Sequence, residues 1–200
     1  MNPPNISTST SLPNFPISPE VFWAEFATAL RQQWHKDKID ILWWNQSKRT
    51  EFLTTALKNL GKEKFGCHCD CEYWPRVDVS YFDRRADDDW NEWSWEAAIE
   101  LENSDSWIEE VCKLIQINAG IKVLIAYVEG RQKLDEFFRK LPAIYQSRKY
   151  APKHCNWLFI FGVFGEVDWD FIAFKFDGEK PTEITGTHQI RSAGKQGLTA

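Results

Sequence analysis

The chain has 200 residues, a net charge of -5 and 43% hydrophobic residues, a size and balance that suit one domain with a sizeable core. No stretch reaches the roughly 20 apolar residues of a membrane-spanning helix. The acidic total excludes a chain-wide basic field for coating nucleic acid, although a local basic patch is compatible with it.

Residues 1–18 read as a disordered tail, with Pro3, Pro4, Pro13 and Pro16 punctuating polar residues. They include no basic residue and no apolar run, so they resemble neither a signal peptide nor a transit peptide. The five cysteines, an odd number, read as reduced thiols, and the expected location is the cytoplasm. Residues 19–184 form the expected single domain, and 185–200 a polar, flexible tail. The eleven tryptophans point to a bulky core with aromatics at its rim, with base stacking as the functional alternative.

Ser18 and Pro19 suit the N-cap and first position of a helix, continued by Val21, Phe22, Phe26, Ala29 and Leu30 at helical spacing. A second helix is predicted over 47–60, with Phe52, Leu53, Ala56, Leu57 and Leu60 on one side and Gly61 as its stop. Three strands follow, near 65–73, 77–82 and 95–102, and their short polar connections favour an antiparallel meander. An acidic loop, 83–91, separates the last two. Ser106 and Glu109 form a capping box for a helix over 107–118, stopped by Gly120. The run 121–128 is nearly all aliphatic, as in a strand buried on both faces. A helix over 133–150 and strands at 157–164 and 170–176 complete the order. The fold class is α/β, a mixed central sheet flanked by helices.

Strand periodicity places Asp78, Ser80 and Phe82 on one face of the second strand and Ala98, Glu100 and Glu102 on one face of the third. If the strands are neighbours, the three carboxylates share a face, with Glu100 and Glu102 roughly 6.5–7 Å apart. Close carboxylates repel, and buried ones are costly unless paired or metal-bound. A divalent cation relieves both problems: Mg²⁺ is commonly held by one or two carboxylates with water and phosphate, and it can polarise a phosphodiester and activate water.

Val77-Asp78-Val79, then Ile99-Glu100-Leu101-Glu102-Asn103, a helix containing Lys113-Leu114, and Lys122-Val123-Leu124-Ile125-Ala126-Tyr127 together resemble the restriction-endonuclease-like PD-(D/E)xK superfamily. The order helix, three strands, helix, strand over 47–128 matches that family's core. The resemblance implies a Mg²⁺- or Mn²⁺-dependent nuclease. In it Asp78 and Glu100 bind the metal, Glu102 stands where the family usually has Lys, and Glu51 falls where many members place a further acid. Two departures stand out: Val77 replaces the Pro of the first motif, and the motif Lys is absent. Lys113 is the candidate replacement from the following helix, ahead of Lys122, which opens a buried strand. The implied partner is nucleic acid, DNA ahead of RNA, with no membrane; a homodimer is compatible with the sequence. Solvated residues on an exposed sheet face are the plain alternative for the acids, and for Glu51 a helix-dipole benefit.

Cys67, Cys69 and Cys71 stand at strand spacing on one face, which favours packing over zinc, whose ligands must converge. Cys112, with His68 or His154, lacks the signature of a nucleophile. Arg139, Lys140, Arg148, Lys149 and Lys153 make the most basic local cluster, either a solvated face or a set of phosphate contacts. The leading expectation is a metal-dependent phosphodiesterase using Asp78, Glu100, Glu102 and Lys113. The runner-up is a catalytically silent nuclease-like binding or assembly module, followed by a zinc-stabilised interaction protein.

Overall fold

Ser18 does cap the first helix: its Oγ accepts from the N–H of Val21 at 3.2 Å. This computed structural model describes residues 17–37, 46–71, 76–83, 94–102, 107–147, 156–164 and 169–184. Of the expected tail 1–18, Ile17 is buried in the core and Ser18 caps α1; the rest of it, the tail 185–200, most of the acidic loop, Ser106, His154, Cys155 and the basic residues at 148–153 lie outside the described residues. In chain order the elements are α1 (Pro19–Asp37), α2 (Gln46–Glu63), β1 (His68–Asp70), β2 (Val79–Asp83), β3 (Ser94–Glu102) and α3 (Trp107–Ile115). They continue with β4 (Ile121–Glu129), α4 (Arg131–Gln146), β5 (Asn156–Phe164), β6 (Trp169–Phe176) and β7 (Pro181–Glu183).

The seven strands form one mixed sheet in the order β1-β2-β3-β4-β5-β6-β7. β1, β2 and β3 make the expected antiparallel meander. β3, β4 and β5 run parallel, and β6 and β7 return antiparallel. Thus the residues after Val128 extend the same sheet. β7 carries no strand signal in the sequence, because three residues from Pro181 on an exposed edge need no apolar alternation.

The sheet divides two apolar cores. On one face Phe22, Phe26, Leu53 and Leu57 of α1 and α2 meet Val79, Ile99, Val123, Ile125 and Leu158. On the other Val111, Leu114, Leu134 and Phe137 of α3 and α4 meet Ala98, Leu124, Trp157 and Phe159. Alternate residues of β3, β4 and β5 therefore serve opposite cores, as the two-residue strand period requires.

Three helix ends depart from expectation, and the simplest is α4, which stops at Gln146 where 150 was expected. Gly61 lies inside α2 rather than ending it. A Cβ there would collide with the Cys69 sulfur and, at 2.7 Å, with the Tyr81 ring, so the glycine serves the close approach of α2 to β1 and β2. α3 ends at Ile115, three residues early. There Gln116 and Ile117 donate to the carbonyls of Lys113 and Leu114, a tightened i→i−3 turn that leaves the α-helix. No helix among the described residues is long and apolar enough to cross a membrane.

Candidate active site

β2 and β3 bring the first two acids together. Val79 pairs with Ile99 and Ser80 with Ala98, which brings Asp78, the residue before β2, within hydrogen-bond reach of Glu100. Asp78 Oδ2 accepts from the backbone N–H of Leu101 at 2.7 Å, which fixes its carboxylate beside the strand. Glu100 is only 1% exposed and faces α3, on the same side of the sheet as Ala98. Lys113 reaches down from α3, with Nζ 2.7 Å from Glu100 Oε1 and 2.6 Å from Glu110 Oε2. Both carboxylate oxygens meet the ammonium away from ideal hydrogen-bond angles, so these contacts are mainly ionic. Lys113 Nζ also donates to the carbonyl of Arg76 at 3.2 Å. Arg76 has φ 69°, a left-handed conformation that a non-glycine residue rarely adopts. Strained backbone of this kind gathers at functional sites, and here it immediately precedes Val77-Asp78.

Burial dominates the electrostatics. It pushes the Glu100 carboxyl up to about 9, against the pull of Lys113, and the charge of Asp78 pushes the same way. Asp78 is also raised by burial, which outweighs the Leu101 N–H, a hydrogen bond with Glu100 and the charge of Lys113. For Lys113 burial acts downward, but Glu100 and Glu110 overcome it and the ammonium is held above its ordinary value. Burial therefore favours a proton on Glu100, beside Asp78, while the Lys113 ammonium opposes it. A polarised carboxyl pair with an adjacent cation can bind a metal ion on releasing that proton, or donate and accept protons itself.

The remaining sequence-predicted residues separate. Glu102 shares the face of Glu100 by strand parity but stands at the end of β3, partly buried and paired in register with Ala126. Glu51 is exposed on α2, whose buried side packs on the opposite face of the sheet, so it does not join Asp78 and Glu100. Lys122 is fully buried. It donates to the carbonyl of Ile115 at 3.2 Å and lies 5.2 Å from the centroid of the Trp157 ring, an anchor for the end of α3. A further acid, Glu110, joins them through Lys113, and the sequence signal for it is its place three residues before Lys113 on one helix. Nothing local announced the carbonyl of Arg76.

Cys67, Cys69 and Cys71 pack against the α1/α2 core. Burial pushes the Cys67 thiol up to about 12 and that of Cys69 to about 11, as suits inert thiols. Among the described residues no three His, Cys, Asp or Glu side chains converge as a metal-binding group, so the three-acid site expected from Asp78, Glu100 and Glu102 reduces to a pair. The pair still fits Mg²⁺ or Mn²⁺, because such ions take hard oxygen donors and commonly use one or two carboxylates, with water and phosphate supplying the rest. No protein-family model, curated protein or solved structure matches this chain.

Proposed function

We propose that the chain is a metal-dependent phosphodiesterase acting on nucleic acid, a divergent relative of the PD-(D/E)xK nucleases. The observation that carries this reading is the approach of Lys113 from α3 to 2.7 Å from Glu100, beside Asp78. A cation thus returns to the carboxylate pair from the next helix, although Glu102 occupies the family's usual Lys position. Asp78 and Glu100 are the ligands for Mg²⁺ or Mn²⁺, which when bound supplies Lewis-acid polarisation of the phosphodiester and a more acidic water. Lys113 orients the attacking water and offsets negative charge developing on the phosphate oxygens. Glu102, at the strand end, is placed to position water or a second ion. Glu51 has no part in this site. DNA is the favoured substrate over RNA, and the cytoplasm the favoured location; the described cysteines form no disulfide.

One observation favours the silent-module reading. Lys113 already pairs its charge with Glu100 and Glu110 and donates to the Arg76 carbonyl, so the ammonium is engaged without any substrate. In that reading the cluster is a structural ion-pair network. Titrating Mn²⁺ into wild type and Asp78→Asn by calorimetry, then assaying nucleic-acid cleavage, separates the two. The nuclease reading expects binding and cleavage in the wild type and loss of both in the variant. Cleavage undiminished in Asp78→Asn rejects the assignment. Absence of Mn²⁺ binding in the wild type, even with an oligonucleotide present, supports the silent module.

A further inference from the structure

A cavity of about 300 Å³ opens between α3 and α4, lined by Trp107, Phe137, Phe161, Lys133, Lys140 and one carboxylate, Glu136, among others. Its position follows from the chain path. β4 ends at Glu129 and α4 begins at Arg131. The single residue between them, Gly130, has φ 77°, which glycine adopts without strain. That abrupt turn sets the first turn of α4, with Lys133, over the carboxyl ends of parallel β4 and β5. Ligands in α/β sheets characteristically bind outside these strand ends. The volume is at the lower end for a small-molecule site, enough for an aromatic base but not for a large ligand.

We propose that this cavity binds one nucleotide of a nucleic-acid strand, its base against the aromatic wall and its phosphate on Lys133 and Lys140. Trp107 is half-buried and leans at 49° on the buried Phe137, ring centroids 4.0 Å apart, so the indole, braced from beneath, is the face on which a base can stack. Lys140 is paired with Glu136 at 2.6 Å, with both side chains about half exposed. An exposed pair of this kind contributes little and is readily exchanged for a phosphate. The cavity lies on the same sheet face as Glu100: Ala126, which also lines it, pairs with Glu102, and Glu100 is two residues back along β3. The choice of a strand, rather than a free nucleotide, rests on the phosphodiesterase reading.

The test is fluorescence anisotropy with a labelled single-stranded oligonucleotide of about six nucleotides, in EDTA so that no metal contributes. Wild type binds. The double variant Lys133→Gln/Lys140→Gln, which changes two exposed side chains, binds at least about fivefold more weakly, with a shallower dependence on salt. Removing the same two charges elsewhere, in Lys62→Gln/Lys180→Gln, leaves binding as in wild type. Trp107→Ala weakens binding about tenfold, and Trp107→Phe, which keeps an aromatic face, restores most of it. AMP competes for the cavity, but less tightly than the oligonucleotide. Equal binding by wild type and Lys133→Gln/Lys140→Gln overturns the proposal, as does equal weakening by the control pair. AMP competing as tightly as the strand assigns the cavity to free nucleotides and overturns the choice of a strand. Because the measurement is free of metal, failure here leaves the Mn²⁺ titration of the carboxylate pair unaffected.

Discussion

The two faces of the sheet are built to different rules. Under α1 and α2 the core is aliphatic and aromatic with few polar atoms: the Tyr81 hydroxyl donates to the Leu57 carbonyl at 2.5 Å, and the Arg49 guanidinium lies 4.1 Å from the centroid of the Tyr127 ring. Under α3 and α4 the same sheet carries Ser80, Glu100 and Lys122, the buried polar and charged side chains among the described residues, with Asp78 and Lys113 at the margin. Burying such groups costs free energy that apolar residues of similar volume would not. A fold that needed only stability would have treated both faces alike. Their concentration around the β2–β3–α3 junction marks the place where local rules give way to chemistry.

The sharpest way to test this contrast is to damage the apolar face alone. Phe26→Ala removes a ring with no exposure and is expected to cost about 3–5 kcal/mol in urea denaturation, while any Mn²⁺ affinity of the still-folded protein stays unchanged. A smaller effect is expected from Gly61→Ala, which drives a methyl into Cys69 and Tyr81; overpacking of this sort costs about 1–3 kcal/mol. Loss of metal affinity in either variant would show that the two faces are coupled.

On the polar face the decisive variant is Glu100→Gln. The folded carboxyl titrates at about 9, against an ordinary value of 4.5. Between those values the folded state holds a proton that the unfolded state releases. The group therefore costs nothing below the unfolded value, and wild-type stability falls as pH rises through the window, by at most about 1.4 kcal/mol per pH unit. Glu100→Gln lacks this slope, so its stability relative to wild type should climb from pH 5 to pH 9. A difference that stays flat over the same range would mean that Glu100 is ionised and held by Lys113. The smallest expected effect belongs to the cysteines: at pH 8 iodoacetamide should leave Cys67 and Cys69 unmodified in the folded protein, their thiols lying at about 12 and 11. Rapid alkylation would break the assignment of that stripe to inert packing.

Much of this was legible in the sequence because the signals are local. Alternation along 77–82 and 97–102 placed Asp78 and Glu100 on one face, and the β2–β3 register bears that out. The order of helices and strands, the buried character of β4 and the packing of the cysteine stripe follow from periodicities the chain carries in itself. Other features depend on residues distant in sequence. Strand parity gave Glu102 the same face as Glu100, but the approach of Lys113 to Glu100 depends on how α3 packs on the sheet.

Apart from β7, the sequence alone thus determined the kinds of element and their order, since these depend on steric preferences repeating every two or 3.6 residues. Tertiary structure decided which side of the sheet each helix covers. It sent Glu51 to the face opposite Glu100, turned Gly61 from a helix stop into a contact surface, exposed the Arg76 carbonyl to Lys113 and opened the cavity beside α4. The reason is physical: helix placement is fixed by which apolar stripe meets which sheet face through the crossover connections, a choice made by contacts between segments and recorded in no single one of them.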